Sequence, residues 1–275
     1  MGVFDTIKER NKQIKFSAEK KAIGAISEAA VGLICAPPQL KNAKRVLFVQ
    51  PHPDDNQIGA GGTIAWLVSL GVEVWELTVT DDRYAELEYI GKENEVETRR
   101  QKEAKAAQDY LGMRNAGFLG FADKTRASVD EISQAILPVI RKIKPDYVLT
   151  VDPNLATECH SDHIKVGNAV KYACMDALCD FYPEFDDGKK RSDTWRVKGI
   201  GFYYTDKPNT LIDISEFEEK KMESIYLHKS QHDPILNLAI RMQQQAFAKG
   251  TSFKAAEPLR LISSLQMHCF NLPVE

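Results

Sequence analysis

Short apolar runs alternate along the chain with longer segments in which apolar residues recur every three or four positions. The run at 45–49 reads RVLFV and the run at 147–151 reads YVLTV, a composition typical of buried strands. Segments such as 95–111 and 129–143 have the helical period instead. Predicted strands cover 45–49, 72–80, 116–119, 147–151, 197–204 and 210–214. Predicted helices cover 4–34, 59–71, 95–111, 129–143, 163–179, 216–227 and 234–248.

This alternation of strand and helix predicts an α/β fold. We expect a Rossmann-like three-layer sandwich, in which helices cover both faces of a mostly parallel sheet. Residues 41–275 are predicted to form a single domain, and residues 1–40 a helical extension before it. The extension loosely resembles a signal peptide, but acidic residues interrupt it. We therefore expect an amphipathic helix, with secretion as the alternative.

Composition narrows the class of protein. The chain has 275 residues, of which 43% are hydrophobic, and a net charge of −3, with Lys and Arg scattered along it. These values give no sign of a nucleic-acid surface, and no apolar stretch is long enough to span a bilayer. The five cysteines form no CxxC pair, so we expect reduced thiols and a cytoplasmic protein. Cys159 stands beside a polar cluster and stays open as a metal ligand.

Two polar clusters follow the strands at 45–49 and 147–151. The first reads HPDD at 52–55, and the second reads HSDH at 160–163. In a doubly wound sheet of order 3-2-1-4, strands 1 and 4 are neighbours, and ligands bind beyond their carboxyl ends. Imidazole and carboxylate groups suit a zinc-like ion, and three such ligands leave one position open for catalysis. We predict a metal site at the C-terminal ends of strands 1 and 4, although either cluster alone could be a capped turn.

Other polar or glycine-rich positions keep simpler interpretations. Asp81 and Asp82 follow the second strand, where they either line the same crevice or cap and solvate the chain. The segment GAGG at 59–62 lacks the GxGxxG spacing, so close packing of a helix on the sheet explains it better than a dinucleotide. The remaining histidines are interpreted as surface or packed residues, namely His228, His232 and His268.

Taken in order, these motifs resemble those of the PIG-L/LmbE-like family of zinc-dependent N-acetylsugar deacetylases. The two histidine-containing clusters carry most of the specificity. Supporting matches are RQKE at 100–103, LG at 111–112, FLGFAD at 118–123, DIS at 213–215, Lys221 and HKSQ at 228–231. The resemblance covers roughly residues 44–260. Asn56 departs from the pattern, because the family usually has Glu after the double Asp.

The resemblance implies one zinc ion, or another divalent ion, per chain. The implied ligands are His52, Asp55 and His163. Zinc would polarise the amide carbonyl and acidify a water molecule.

The resemblance also implies catalytic and substrate-binding roles. Asp54 would be the general base, and His160, as an imidazolium, would stabilise the oxyanion or assist proton transfer. Asp162 would orient His160. Arg100 and Asp123 match positions that hold sugar hydroxyls.

The expected function is a zinc-dependent hydrolase that removes the N-acetyl group from an N-acetylglucosamine-type sugar or sugar conjugate. One alternative is a metal-dependent hydrolase of another small amide or ester. The other is a non-catalytic sugar-binding protein on the same fold. Assembly into a homo-oligomer stays open.

Overall fold

The computed structural model of the chain describes residue 33 and residues 35–85, 91–180 and 193–268. The predicted helix at 4–34 therefore lies almost entirely outside the described residues. The chain enters the domain through a short 3-10 helix, Leu40–Asn42, and then forms the first strand.

A seven-stranded sheet forms the centre of the domain, with the order β3-β2-β1-β4-β5-β7-β6. The strands are β1 (Arg45–Gln50), β2 (Glu73–Thr80), β3 (Arg114–Phe121), β4 (Tyr147–Val151), β5 (Gly199–Tyr203), β6 (Thr210–Asp213) and β7 (Ala256–Ser263). Strands β1 to β5 pair in parallel, whereas β7 is antiparallel to both β5 and β6. The predictions of a mostly parallel sheet and of the order 3-2-1-4 are confirmed.

Strand β7 is absent from the sequence-based prediction. Its sequence, AEPLRLIS, has a carboxylate and a proline at its second and third positions, and proline is disfavoured inside a sheet because it cannot donate a ladder hydrogen bond. In the structure this strand lies between β5 and β6. It therefore brings Glu257 into the interior of the domain, where the residue is 1% exposed.

Helices cover both faces of the sheet. They are α1 (Asp55–Ser69), α2 (Glu93–Leu111), α3 (Val129–Ile143), α4 (Ser161–Asp176), α5 (Glu218–Tyr226) and α6 (Pro234–Ala248). One apolar core contains Ile64 of α1 and Leu111 of α2, and the other contains Ile136 of α3 and Val170 of α4. The three-layer prediction is thus confirmed. No helix among the described residues is both long enough and apolar enough to cross a membrane.

The register of β1 and β4 places the two polar clusters at one edge. Val46 pairs with Tyr147 and Phe48 pairs with Leu149, so both strands run in the same direction and end together. Almost every residue of the two strands is buried, which fixes them in the middle of the sheet. The loops that leave them therefore begin side by side, as the switch-point argument predicts.

Helix α1 begins earlier than the prediction of 59–71, because Asp55 already lies in its first turn. The backbone at Ala60 is not helical (φ −146°, ψ 19°), so α1 consists of two helical pieces. The Glu257 carboxylate accepts the backbone N–H groups of Gly62 and Thr63 at 3.0 and 2.6 Å. A carboxylate at the start of a helical piece satisfies N–H groups that have no partner within the helix.

The glycines of α1 allow it to pack closely on its neighbours. A Cβ atom on Gly59 would lie 2.3 Å from the ring of Tyr203, and one on Gly62 would lie 2.7 Å from Ile214. Such distances leave no room for a side chain. The expected close packing of these glycines is confirmed.

Candidate active site

The loop after β1 is closed by hydrogen bonds within itself. The His52 carbonyl accepts the N–H of Asp54 at 2.8 Å, and Asp55 Oδ2 accepts the N–H of His52 at 2.9 Å. This tight turn places Asp55 Oδ2 3.3 Å from His52 Nδ1. The i and i+3 residues of the HPDD motif therefore present their ligand atoms together.

The segment after β4 supplies the facing imidazoles. Glu158 accepts the backbone N–H of His160 at 2.7 Å through one oxygen, and its other oxygen lies 2.8 Å from His163 Nδ1. That contact turns the opposite nitrogen, His163 Nε2, to within 3.4 Å of Asp55 Oδ1. Asp55 thus lies between two imidazoles from strand ends about a hundred residues apart.

These three side chains are close enough for Asp55 to share an ion with either imidazole. Asp55 Oδ2 lies 3.3 Å from His52 Nδ1 and Asp55 Oδ1 lies 3.4 Å from His163 Nε2, and ligands of a tetrahedral zinc ion lie about 3.3 Å from one another. The two contacts use different carboxylate oxygens, so joint ligation of one ion by all three residues stays a prediction. The ring nitrogens of His52, His160 and His163 also lie within 4.8 Å of one another. His160 is therefore geometrically able to approach the same ion, and its exclusion from the ligand set stays a prediction.

The electrostatics of the cluster favour a positive charge at its centre. Burial acts to lower the pKa of His52, but the carboxylates of Asp123, Asp162 and Asp55 hold it well above its usual value. Burial also opposes protonation of His163, yet Asp55 raises its pKa to about 9. A divalent ion can supply the positive charge that these carboxylates stabilise, so the donor set fits a metal.

The two carboxylates on the far side of His52 orient its ring. His52 Nε2 lies 3.4 Å from Asp123 Oδ1 and 3.5 Å from Asp162 Oδ2. Asp162 also accepts the backbone N–H groups of Lys124 and Thr125 at 2.7 and 3.1 Å. Carboxylates beside the second nitrogen of a metal-ligating histidine fix its tautomer and orientation.

The Asp162 carboxylate lies 3.5 Å from His52 Nε2, and the backbone N–H of Asp162 donates to His160 Nδ1 at 3.3 Å. That the side chain of Asp162 orients His160 stays a prediction. Burial and the neighbouring His52 and His163 also lower the pKa of His160, which favours a neutral ring over the expected imidazolium.

Arg100 lies behind the candidate base rather than on the surface of the crevice. Its side chain is 0% exposed, and Nη2 donates to Asp54 Oδ2 at 2.9 Å. Nε donates to Asp82 at 2.5 Å, and Nη1 donates to Glu103 at 3.0 Å. The guanidinium therefore holds Asp54 in place. Contact of Arg100 with sugar hydroxyls stays a prediction, and it requires one of these acceptors to give way.

Asp82 lies near His52 and Asp123, which favours the interpretation that it lines the crevice over the interpretation that it caps a helix or is solvated. Burial, together with the charge of Asp54, raises the pKa of Asp82 to about 6, although Arg100 opposes the shift. Asp82, Asp123 and His52 each offer an atom within 4.8 Å of the others. This side of the metal cluster is consequently rich in hydrogen-bond acceptors.

Comparison with known proteins places the chain in a family. Residues 47–174 match the family model described as PIG-L, GlcNAc-PI de-N-acetylase. The diacetylchitobiose deacetylase of Thermococcus kodakarensis is 32% identical over 82% of this chain and 86% of its own length. The chain belongs to the PIG-L/LmbE-like family of N-acetylsugar deacetylases.

A further relative by sequence and a solved structure are also similar to this PIG-L/LmbE-like protein. The probable N-acetyl-α-D-glucosaminyl L-malate deacetylase 2 of Bacillus cereus is 29% identical over 70% of this chain and 86% of its own length. The solved structure of N,N′-diacetylchitobiose deacetylase from Pyrococcus horikoshii, in complex with an inhibitor, superposes with a TM-score of 0.75 and 28% identity. The superposition covers 83% of this chain and 87% of that one.

The structure adds residues of this family member that the motif analysis missed. Glu158 orients His163, and its place two residues before His160 is the signal that could have revealed it. The Tyr204 ring stacks on His163 with ring centroids 6.2 Å apart, and its hydroxyl donates to the Asp55 carbonyl at 3.3 Å. Cys159, by contrast, is exposed. Like Asp55, it belongs to neither group of three potential ion ligands among the described residues, but unlike Asp55 it makes no hydrogen bond or ion pair with His52 or His163 there.

His228 of the HKSQ motif also belongs to the site, as a buried neighbour of Arg100. His228 Nδ1 lies 3.4 Å from Arg100 Nη1. Burial lowers the pKa of His228 to about 4, which keeps the ring neutral beside the guanidinium. The interpretation of this residue as a packed histidine therefore holds.

Asn56, where the chain departs from the family pattern, has a structural role. Its Nδ2 donates to Glu76 at 3.0 Å, and its Oδ1 accepts the Tyr203 hydroxyl at 2.8 Å. Its backbone N–H donates to Gln50 Oε1 at 3.0 Å. A buried carboxylate is thus present beside the HPDD turn after all, but strand β2 supplies it.

Proposed function

We propose that this chain is a zinc-dependent hydrolase that removes the N-acetyl group from an N-acetylglucosamine-type sugar or sugar conjugate. The observation that carries the proposal is the position of Asp55 between the imidazoles of His52 and His163, with Asp54 next to it in the same turn. Three ligands of this kind, plus a carboxylate that is not needed as a ligand, match a catalytic rather than a structural metal site.

The relatives support the class of substrate. Those compared above carry names that specify deacetylation of diacetylchitobiose or of an N-acetylglucosaminyl malate. Both compounds contain an acetamido sugar. We infer that the same unit is the substrate core here, and that the acidic side of the crevice binds its hydroxyls.

The residues that would hold the metal are His52, Asp55 and His163. When bound, a divalent ion supplies Lewis acidity at the amide carbonyl and at the attacking water. We propose zinc because two imidazoles and one carboxylate are its common catalytic ligand set.

Asp54 is the proposed general base. Arg100 Nη2 holds Asp54 Oδ2 at 2.9 Å, which leaves Oδ1 to receive the proton of the attacking water. The water oxygen then bonds to the carbonyl carbon, the C–N bond breaks, and the proton passes from Asp54 to the departing amine. The products are acetate and an amino sugar.

His160 is the proposed donor to the carbonyl oxygen. Its Nδ1 accepts the N–H of Asp162, so in the neutral ring the proton is on Nε2. From there the N–H can donate to the oxygen as negative charge develops on it, a contribution that often reaches a few kcal/mol. This role needs no charge on the ring.

The test is acetate release from a panel of N-acetyl sugars, an O-acetyl ester and an acetyl-lysine peptide. We expect clear preference for N-acetylglucosamine and its conjugates, with turnover abolished in His163→Ala. Preference for the ester or the peptide would favour the alternative hydrolase. Sugar binding without any turnover in metal-loaded protein would favour the non-catalytic alternative.

Two further expectations are carried forward as proposals. A cytoplasmic location is supported by free cysteines at the described positions 35, 159, 174 and 179. Self-association into a homo-oligomer is the other, and sedimentation of the purified protein measures it directly.

A further inference from the structure

A cleft extends from the metal cluster, and neither Asp54 nor Arg100 lines it. It begins at His163 and Glu158 and continues along helix α6, with a volume of about 580 Å³. Such a volume is ordinary for a pocket that holds a drug-sized molecule. An acetyl group would occupy only the end nearest the metal and would leave the rest to water.

The walls of this cleft differ from the acidic side of the site. Most of its lining is apolar, and includes Ile58, Leu155, Tyr204, Leu236, Ile240 and Phe247. Two of its lining residues, Lys221 and Glu257, pair with each other at 2.7 Å and are almost fully buried. The other lining carboxylate, Glu158, is already engaged by the backbone N–H of His160 and by His163 Nδ1. The carboxylates that line the cleft are therefore already paired.

One buried polar side chain in the cleft has no partner. Gln244 is 2% exposed, and neither its amide nitrogen nor its amide oxygen makes a hydrogen bond among the described residues. A buried amide is costly to leave unpaired, so such groups are normally satisfied by protein, water or ligand. A ligand with a donor and an acceptor, such as an amide, is complementary to it.

We propose that this cleft binds the acyl side of the substrate, and that the enzyme hydrolyses N-acyl sugars whose chain is longer than acetyl. The inference rests on the proposed hydrolase function and extends its substrate class. The scissile amide has a polar sugar on its nitrogen and an acyl group on its carbon, and the two sides of the metal cluster match these two parts. The cleft favours an apolar chain with one amide positioned for Gln244.

The chemistry is the same as for an acetyl group. Water adds to the amide carbon, the C–N bond breaks, and the amine leaves with a proton. The products are glucosamine and a carboxylic acid of the chain's length. Each methylene that moves from water into the cleft contributes up to about fourfold to binding.

The experiment compares three substrates, namely N-acetylglucosamine, N-hexanoylglucosamine and N-(acetylglycyl)glucosamine. The last two have chains of similar length, but only the acetylglycyl chain contains an amide. Product glucosamine is measured as kcat/KM with the metal-loaded full chain. We expect the hexanoyl substrate to equal or exceed the acetyl substrate, and the acetylglycyl substrate to exceed both.

Two tryptophan variants test whether the acyl chain of the substrate lies in the cleft. Ala239 lines the cleft on an exposed turn of α6, so Ala239→Trp fills the space without disturbing the core. We expect it to lower kcat/KM for both long chains by at least tenfold while the acetyl substrate changes less than twofold. Leu238→Trp is the matched control, because residue 238 is exposed and does not line the cleft. It should leave all three substrates unchanged.

Gln244→Leu tests whether the cleft recognises the amide of the acetylglycyl chain or only accommodates a chain of that size. We expect this variant to lose the preference for the acetylglycyl chain and to keep or improve hydrolysis of the hexanoyl chain. Equal losses on both chains would contradict the assignment to Gln244.

The outcomes distinguish this inference from the proposed function. If N-acetylglucosamine is hydrolysed but both long chains are at least a hundredfold poorer, the acyl cleft is wrong and the deacetylase proposal stands. If the long-chain substrates are hydrolysed but Ala239→Trp lowers kcat/KM equally for the long-chain and acetyl substrates, or for none of them, the acyl chain lies elsewhere and the inference is overturned. If no substrate is hydrolysed, both proposals fail.

Discussion

Two buried cations, Arg100 and Lys221, lie near the candidate site, and they stabilise different parts of it. Arg100 is 0% exposed and contacts the carboxylates of Asp54, Asp82 and Glu103, one of which is the candidate base. Lys221 is 3% exposed, and its ammonium pairs with Glu257, whose carboxylate accepts backbone N–H groups at the break in helix α1. The first cation therefore supports a reacting group, whereas the second supports the backbone that carries the ligands.

This difference teaches that burial alone does not separate catalytic from structural residues. Both cations are deep, and both belong to motifs of the family resemblance. They differ in what their carboxylate partners do, because one partner is the candidate base and the other binds the backbone of α1. Substitution of Arg100 should therefore lower the catalytic rate, and substitution of Lys221 should lower the stability of the fold.

The largest expected effect is on folding, at the Lys221–Glu257 pair. Lys221→Met leaves a buried carboxylate without its partner, a change that typically costs about 3–5 kcal/mol. We expect a loss of this size in the free energy of unfolding, measured with urea on metal-depleted protein. The variant that remains folded should still bind the metal. An unchanged unfolding midpoint would show that the pair does not stabilise the domain.

Glu76 gives the next comparison, because it is a buried carboxylate whose partners in the described part of the chain are amides and not cations. Glu76 accepts hydrogen bonds from Asn56, Gln57 and Gln108, but burial raises its pKa from 4.5 to about 7. The raised pKa means that folding favours the protonated form of Glu76. The contribution of this proton to the free energy of unfolding is therefore fully present below pH 4.5 and is lost as pH rises through 7. This contribution amounts to at most about 3 kcal/mol.

Glu76→Gln removes this titration while keeping the shape of the side chain. The stability difference between wild type and variant, measured in metal-depleted protein at several pH values, should shift towards the variant between pH 4.5 and 8. A difference that does not depend on pH would contradict the raised pKa of Glu76.

Arg100→Lys tests the catalytic side. Lysine keeps the charge but cannot donate to Asp54, Asp82 and Glu103 in the fork geometry of a guanidinium. We expect kcat to fall on the order of a hundredfold, because Asp54 loses its fixed orientation. Metal content, measured on the same sample, should stay near one ion per chain. Equal activity in the lysine variant would show that charge alone suffices.

The smallest expected effect is at Glu158, which orients one ligand without touching the base. Glu158→Gln keeps a hydrogen-bond acceptor for His163 Nδ1 but removes the charge. Loss of such a partner typically weakens metal binding about 10–100-fold, and we expect the lower end here. Competition with a chelator measures it. The comparison variant is Glu97→Gln, at a residue of α2 whose described bond is to Gln101 and not to the site.

The elements that the sequence predicts best are those with a clear local signal. Helix α3 matches its predicted bounds, because Ser128 and Glu131 form a capping box at its start. The apolar runs of β1 and β4 are equally plain, and they place both histidine clusters at one sheet edge. All three implied metal ligands come together as a result.

The features that sequence reasoning missed depend on long-range contacts. Glu257, the second residue of strand β7, accepts a hydrogen bond from Gly62 of α1, 195 positions away, and no periodic pattern reveals such a partner. The same holds for Asp162, whose carboxylate lies 3.5 Å from His52 Nε2. A motif fixes which residues are present, but packing decides which atoms face one another.

The central claim is that Asp54 is the base and Asp55 is a ligand, although the two are adjacent. Zinc content and acetate release from N-acetylglucosamine should therefore be measured side by side for Asp54→Asn and Asp55→Ala. We predict that Asp54→Asn retains about one ion per chain and loses a hundredfold or more in rate, while Asp55→Ala loses the metal and the activity together. Near wild-type turnover in Asp54→Asn, or full metal retention in Asp55→Ala, would contradict the account.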